Sequence, residues 1–305
     1  MIRSKAFVSW PITLAVGCLG LLGMEARAAD KMIEVEANVV TVESWSNEVD
    51  RTWFGAPLEL GSSIRLRFLY PDGLESTTTD PSASEYVVPS GQGSVSMTFN
   101  EVERIWPNTL ETGRYSIHIR DNAPAPNNAL DDTFLVQATA TDGSENTVVL
   151  ALQLVDWTFG ADLSRPDALT STLIPPDGPM DLTPFNTGRF ASAMIATLRE
   201  STVVTMYVWS VVVRDAPTPA ELIQELAQTV VSINLDAGIG SSLDAKLDSV
   251  IAALDESRKG NSASAVNLLL AFVSAVEAQR GKKLTDTQAS KLVTSANRII
   301  ETLAQ

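Results

Sequence analysis

Apolar and polar residues alternate along most of the chain between residue 31 and residue 214. The alternation is clearest in Ile33–Val42, Ser63–Tyr70 and Ser94–Phe99, where apolar side chains occupy every second position. A period of two residues is typical of strands that bury one face of a sheet. Turn-rich sequences such as YPDG, PSGQG and TDGSEN separate these segments, with no helical pattern between them. The pattern predicts about eight to ten strands in an antiparallel β-sandwich-like or barrel domain over residues 29–214.

Two segments of this region are more uniformly apolar than the others. They are Thr147–Asp156 and Thr202–Asp215, which are dense in valine and leucine. Such continuous runs are typical of strands that are covered on both sides of a sheet. We therefore expect both faces of these two strands to be buried.

The hydrophobic period changes to that of a helix after a short junction at residues 215–219. Thr218 and Glu221 form a capping-box pattern around Pro219, a residue that is favoured at the first helical position. Apolar stripes with spacings of three and four residues follow, and Thr285 and Gln288 form a second capping box. Residues 220–305 therefore predict a small four-helix bundle, which makes the chain multidomain, β then α.

The segment Asn234–Leu247, NLDAGIGSSLDAKL, has features of a calcium loop, a phosphate loop and a helix junction. The glycine and glutamate that an EF-hand requires are missing in both registers tested. A preceding strand and a P-loop lysine are missing as well. A helix junction fits every residue, with Gly238 and Gly240 in the turn and Ser241 as the cap of the second helix.

The region Pro217–Leu303 resembles the FIMAH type of helical domain, found at the ends of secreted bacterial and archaeal proteins. The residues that carry the resemblance are APTPAELIQEL, LDAGIGSSLDAKLDSVIAAL and AVNLLLAFVSAVEAQRGKKLTDTQASKLVTSANRIIETL. The β region is similar to a module of exported bacterial proteins of the PEP-CTERM type, through GRYSIHIRDN, DDTFLVQA, LALQLVD and STLIPPDGPMDLTPFNTGRF. Neither resemblance brings a known reaction. Together they imply a modular exported protein with a helical attachment or interaction unit.

Residues 1–28 predict an export signal. Arg3 and Lys5 precede an apolar run, and Ala26 and Ala28 place small residues at the −3 and −1 positions of a cleavage site. We expect cleavage near Ala28 and a secreted, extracellular or cell-surface protein. The alternative is a lipoprotein acylated at Cys18.

The negative net charge of the chain limits the classes of molecule that it can bind. The predicted signal carries three basic residues and one acidic residue, so its removal changes the net charge from −15 to −17. An acidic surface repels nucleic acid and anionic lipid. No apolar run of membrane length follows residue 30. We therefore predict no nucleic-acid partner and no membrane span in the mature chain, and we expect a protein or glycan partner at the cell surface.

Residue types limit the catalytic chemistry. Cys18 is the only cysteine and His118 the only histidine, and the predicted signal contains the cysteine. His118 lies on the polar face of a predicted strand, which is an ordinary place for a surface side chain. We therefore predict that the protein is not an enzyme. A hydrolase with paired carboxylates stays open as an alternative. Its candidate acids are Glu43, Glu48, Asp50, Asp156 and Asp162.

Calcium is the cofactor that the residue types favour. The sequence RDNAPAPNNALDD concentrates oxygen-bearing side chains in what the pattern predicts to be one loop between strands, and such oxygens are calcium ligands. The candidate ligands are Asp121, Asn122, Asn127, Asn128, Asp131 and Asp132. The alternative is that these residues only form turns.

Trp45 and Trp53 flank a polar, loop-like stretch and are candidate ligand-binding residues. Exposed side by side, they would form a sugar-stacking platform, although large aromatic residues more often fill a core. The sequence thus predicts a secreted, non-catalytic modular protein with a ligand-presenting β domain and a helical interaction module. The helical module would dock to a partner or to its own β domain. A carbohydrate-binding module and a carboxylate hydrolase are the alternatives.

Overall fold

A computed structural model describes residues 30–44, 58–100, 102–108, 115–124, 130–141, 147–158, 169, 171–185, 188–196, 201–257 and 262–304. The predicted export signal, including Cys18, lies outside these residues. The tryptophan pair Trp45 and Trp53 lies outside them too.

The β region forms one antiparallel sheet. Its strands are β1 (Asp30–Ser44), β2 (Ser63–Pro71), β3 (Ala83–Val87), β4 (Ser94–Phe99), β5 (Val102–Pro107), β6 (Tyr115–Pro124), β7 (Leu130–Thr141), β8 (Thr147–Thr158), β9 (Gly178–Pro179), β10 (Gly188–Ala196) and β11 (Ser201–Asp215). They are ordered β3-β6-β7-β8-β10-β11-β1-β2-β4-β5, with the short β9 paired to β11. The prediction of an antiparallel β region before a helical region is confirmed.

The sheet curls around one hydrophobic core. Alternate side chains of the strands point inward, so that residues from β2 and β4 share a core with residues from β6, β7 and β8. Phe68 of β2 and Tyr115 of β6 are far apart in strand order, yet their ring centroids lie 6.5 Å apart. The outer face of the sheet therefore remains available to other parts of the molecule.

The strand β11 departs from the prediction that both its faces are buried. Val204, Met206 and Val208 point into the core, but Tyr207 and Trp209 on the other face are 44% and 52% exposed. The register between β1 and β11 shifts where Glu36 pairs with Ser210 while Ala37 pairs with Val208. Trp209 is therefore the extra residue of a β-bulge, and bulges re-aim the side chains they carry.

Four helices follow the sheet: α1 (Pro219–Ser232), α2 (Ala237–Ser257), α3 (Ala263–Gln279) and α4 (Asp286–Ala304). They pack around a second core, separate from that of the sheet. Both predicted capping boxes are confirmed. The Thr218 hydroxyl accepts from the Glu221 backbone N–H while the Glu221 carboxylate accepts from the Thr218 N–H, and Thr285 and Gln288 make the same exchange.

The start of α2 differs from the predicted helix junction. The helix begins at Ala237, so that Gly238, Gly240 and Ser241 lie inside it and Ser241 is not the cap. The chain turns earlier, at Asn234, whose φ of 51° is a conformation that asparagine tolerates. The Asp236 carbonyl then accepts from the N–H groups of Ile239 and Gly240.

The helical region docks onto its own sheet. Helix α4 packs against β5, and Arg298 of α4 forms an ion pair with Glu103 of β5 at 3.5 Å. Of the two alternatives that the sequence left open, this contact favours docking within the chain. Across the described helices, none combines the length and the apolar character needed to cross a membrane.

Candidate functional site

A cleft of about 560 Å³ lies between the outer face of the sheet and the helices α1 and α4. Its sheet side consists of residues from β1, β2, β4, β5, β11 and the turn between β4 and β5, and its helix side of residues from α1 and α4. The lining is Glu36, Ser63, Ile64, Arg65, Arg67, Thr98, Asn100, Glu103, Trp209, Glu225, Thr229, Lys291, Thr294, Ser295 and Arg298. Both regions of the chain are therefore needed to form it.

A network of buried ions joins the two sides of the cleft. The Arg67 guanidinium donates to Glu34 at 2.8 Å and to Glu103 at 3.2 Å. The Ser96 hydroxyl donates to the same Glu103 oxygen at 2.6 Å, and Arg298 approaches the other oxygen of Glu103. These five residues, which we call the buried ion network, connect four strands of the sheet to helix α4.

Burial and ion pairing have opposite effects on the pKa values of Glu34 and Arg67 in this network. Burial acts to raise the pKa of Glu34, but the hydrogen bond and the charge of Arg67, with the charges of Arg214 and Arg65, lower it below its ordinary value. Burial likewise acts to lower the pKa of Arg67, and the charge of Glu103 with the hydrogen bond of Glu34 raises it. Glu34 and Arg67 therefore both keep their charge at neutral pH.

For the pKa of Arg298, the effect of burial is larger than that of ion pairing. Burial and the nearby charge of Arg67 lower the pKa of Arg298, against the attraction of Glu103. An arginine remains charged even so, because its ordinary pKa lies far above neutrality. The Glu103 carboxylate is thus positioned between two buried cations on opposite sides of the cleft.

Three exposed aromatic side chains lie on the outer face of the sheet beside the cleft. Phe190 of β10 pairs directly with Tyr207 of β11, and Trp209 lies two residues farther along β11 and lines the cleft. Phe190 is 45% exposed, similar to the other two. We call these three residues the aromatic row. None of these three residues is a site residue predicted from the sequence. For Tyr207 and Trp209 the reason is that β11 was expected to be buried on both faces.

The residues of the predicted calcium loop lie mostly in strands rather than in one loop. Asp121 and Asn122 belong to β6, and Asp131 and Asp132 belong to β7. The register shifts between Arg120 and Ala123, so that Asp121 and Asn122 together lie opposite Asp132. Asn127 and Asn128 lie outside the described residues. Within the part of the chain that is described, no three His, Cys, Asp or Glu side chains are arranged to hold a metal.

The structure brings together two acids that the sequence assigned to different sites. Asp132, a calcium candidate, pairs directly with Asp156, a hydrolase candidate, on neighbouring strands. Both are buried, at 6% and 4% exposure, and the Leu169 N–H donates to Asp132 at 3.3 Å. They share the inward-facing parity of Phe134 and Leu154, so they lie at the end of the sheet's core and not in the cleft.

Of the other acids proposed for a hydrolase, Glu43 is exposed on β1. Glu48, Asp50 and Asp162 lie outside the described residues. Among the described acids that the sequence proposed, Asp132 and Asp156 form the one directly paired set, and neither residue lines the cleft.

His118 lies on β6 beside a serine and a carboxylate. Its Nε2 is 2.9 Å from the Ser116 hydroxyl and 3.8 Å from a Glu85 oxygen. A catalytic triad needs the serine on one ring nitrogen and the acid on the other. Here the same nitrogen faces both groups, so the arrangement does not form the relay of a serine hydrolase.

Comparisons with known proteins leave the family open. No family model matches the chain, and no curated protein matches it. One solved structure, a conserved protein of unknown function from Rhodopseudomonas palustris, aligns with 58% of this chain and 95% of its own length. It is 7% identical with a TM-score of 0.15, a similarity too low to carry an argument.

Proposed function

We propose that this protein is an exported, non-catalytic binding protein whose ligand occupies the cleft between the sheet and the helices. The observation that carries the proposal is Trp209, a half-exposed indole on the outer face of β11 at the edge of a cleft lined by both regions. Large aromatic side chains exposed at a concave polar site are typical of ligand binding.

The charges of the cleft favour binding over proton transfer. Glu103 is held between Arg67 and Arg298, and Glu36 is paired with Arg65 at 3.0 Å. A general acid or base must present its carboxylate oxygen to the substrate, whereas arginine side chains already occupy these two carboxylates. Such paired groups instead offer fixed hydrogen-bond donors and acceptors to a polar ligand.

The helical region acts in this proposal as the interaction module that completes the site. Glu225, Thr229, Thr294 and Ser295 are supplied by α1 and α4 and face the sheet across the cleft. The proposed organisation is a sandwich-like β domain at residues 29–214, a junction at 215–219 and a four-helix bundle at 220–305. The proposed location is secreted or at the cell surface, after cleavage near Ala28.

The test is affinity capture from the cell surface of the source organism. The mature protein would be used as bait beside two variants, Trp209→Ala and Leu270→Ala, the second of which truncates an exposed apolar side chain on helix α3. We expect a partner that the wild type and Leu270→Ala retain and that Trp209→Ala loses. Equal recovery by all three proteins would refute a ligand site at the cleft.

Calcium remains a proposal for the end of the sheet where Asp121, Asp131 and Asp132 lie. An ion that binds only the folded protein raises the free energy of unfolding. The increase grows with the logarithm of the ratio of free ion to Kd and is about 2.7 kcal/mol at a hundredfold excess over Kd. We predict that the wild-type protein has a higher thermal midpoint in millimolar calcium than in a chelator. The Asp132→Asn variant should have the same midpoint in both solutions. An unchanged midpoint of the wild type would remove calcium from the proposal.

A further inference from the structure

The outer face of the sheet carries a continuous line of polar and aromatic side chains that ends in the cleft. Five residues on neighbouring strands stand directly opposite one another in register. In order across the sheet they are Gln153, Phe190, Tyr207, Asn38 and Ser63. Four strand-to-strand steps of about 4.8 Å give this line a length of roughly 19 Å, enough for several linked sugar rings.

We infer that this line, together with Trp209, is a binding platform for a neutral polysaccharide chain. The inference rests on the proposed function and names the ligand class of the same site. Phe190 and Tyr207 are adjacent, exposed aromatic side chains on which the apolar faces of pyranose rings would stack, and Trp209 continues this surface to the cleft. Stacking on aromatic faces and hydrogen bonds to hydroxyl groups are the two interactions that a sugar chain requires.

The polar residues of the line supply the hydrogen bonds. Gln153 is exposed at one end and Ser63 at the other, and Ser63 donates to the Asn38 side-chain oxygen at 3.1 Å. Amide and hydroxyl groups both donate and accept, which matches a ligand covered with hydroxyls. Because Ser63 also lines the cleft, a chain that follows the aromatic row would continue between the sheet and the helices.

Charge selects a neutral ligand over an acidic one. The whole chain has a formal net charge of −15, which repels polyanions at long range. The cations Arg65 and Arg67 at the cleft are already paired with Glu36 and Glu34. An acidic polysaccharide would therefore have to displace existing ion pairs.

The exposed aromatic area is too small for a stable protein interface. Three aromatic side chains of about 150–250 Å² each, roughly half exposed, present about 200–350 Å². A stable protein–protein complex buries about 800 Å² on each partner. A narrow line of aromatic and polar groups fits an extended chain of sugars better than a second copy of this protein.

Affinity electrophoresis tests the inference. The purified full chain would be run in native gels that contain one neutral polysaccharide each (hydroxyethylcellulose, glucomannan, xylan or dextran) or the acidic polygalacturonate. We expect retardation by at least one neutral polysaccharide and none by polygalacturonate. Trp209→Ala and Phe190→Ala should each weaken the affinity by about tenfold, equivalent to about 1.4 kcal/mol.

Matched variants separate stacking from loss of folding. Trp209→Phe and Tyr207→Phe keep an aromatic ring and should retain retardation, while Leu270→Ala on helix α3 should equal the wild type. Wild-type protein that no neutral polysaccharide retards would overturn the inference, as would full affinity in Trp209→Ala and Phe190→Ala. If the affinity capture still recovers a Trp209-dependent partner, only the ligand class is wrong and the proposed binding function stands.

Discussion

At the scale of single residues, one buried hydroxyl stands out. The Tyr115 side chain is fully buried and burial raises its pKa well above the ordinary value. Among the described residues, its hydroxyl has no hydrogen-bond partner. A buried polar group without a partner costs about 1–3 kcal/mol. Tyr86 differs, because its hydroxyl donates to the Thr172 carbonyl at 3.0 Å.

We therefore predict opposite effects of the same substitution at these two positions. Tyr115→Phe should raise the free energy of unfolding by about 1 kcal/mol, because it removes an unsatisfied hydroxyl and leaves the packing unchanged. Tyr86→Phe should lower it by about 1 kcal/mol, because the Thr172 carbonyl loses its donor. Urea unfolding of both variants measures this, and a destabilised Tyr115→Phe protein would show that the hydroxyl is satisfied.

The residue scale is also where sequence patterns were least able to find the site. Alternation assigns each strand residue to one of two faces, and a bulge changes that phase without a signal in the apolar pattern. The valine-rich β11 thus predicts burial on both faces, whereas Tyr207 and Trp209 alternate outward from the buried Val208 and are exposed. The bulge then shifts the phase, so that Val211 and Val213 point inward again. Arg65 and Arg298 line the same cleft as Trp209 but are far from each other in the sequence. Arg298 joins the cleft only because α4 docks on the sheet.

At the scale of elements, local hydrogen bonds made the helix starts predictable. The capping boxes at Thr218 and Thr285 depend on residues three positions apart, and both form. The start of α2 was not predicted correctly, because glycines at 238 and 240 suggested a turn. The chain instead turns at Asn234 and accepts both glycines inside the helix.

This correction predicts the effect of replacing each glycine. Gly238 and Gly240 have helical conformations and open space for a Cβ, so alanine should stabilise the protein by about 0.5 kcal/mol at either position. Gly281, after α3, has a φ of +70°, and Gly281→Ala should destabilise by about 1 kcal/mol. Chemical unfolding of the three variants measures these changes in stability. A loss of stability in Gly238→Ala would contradict a helical conformation at this residue and support the turn predicted from the sequence.

At the scale of the whole molecule, the buried ion network makes the stability of the fold sensitive to acid. The pKa of Glu34 is lowered in the folded state, so its contribution to stability is complete above the unfolded pKa of about 4.3. That contribution is lost as the pH falls through the folded pKa. We predict that stability declines below about pH 4 and declines less in Glu34→Gln, as measured by thermal melts across the acid range.

Glu103 is the residue on which the contact between sheet and helices depends most. It is the carboxylate that meets both Arg67 of the sheet and Arg298 of α4, and it is largely buried. Its removal leaves Arg298 without that counter-charge, while Arg67 retains Glu34. Breaking a buried ion pair by removing one partner costs about 3–5 kcal/mol.

We therefore predict that Glu103→Gln destabilises the protein by about 3 kcal/mol and speeds amide hydrogen exchange in α4. The control is Glu277→Gln, because Glu277 pairs with Arg280 within the helical region at an exposed position. That variant should leave exchange in the β5–α4 contact unchanged. If Glu103→Gln keeps wild-type exchange in α4, the apolar contacts between α4 and β5 suffice to hold the helices in place. Because the cleft requires α4 to be docked, a loosened Glu103→Gln protein should also lose the ligand that we propose for the cleft.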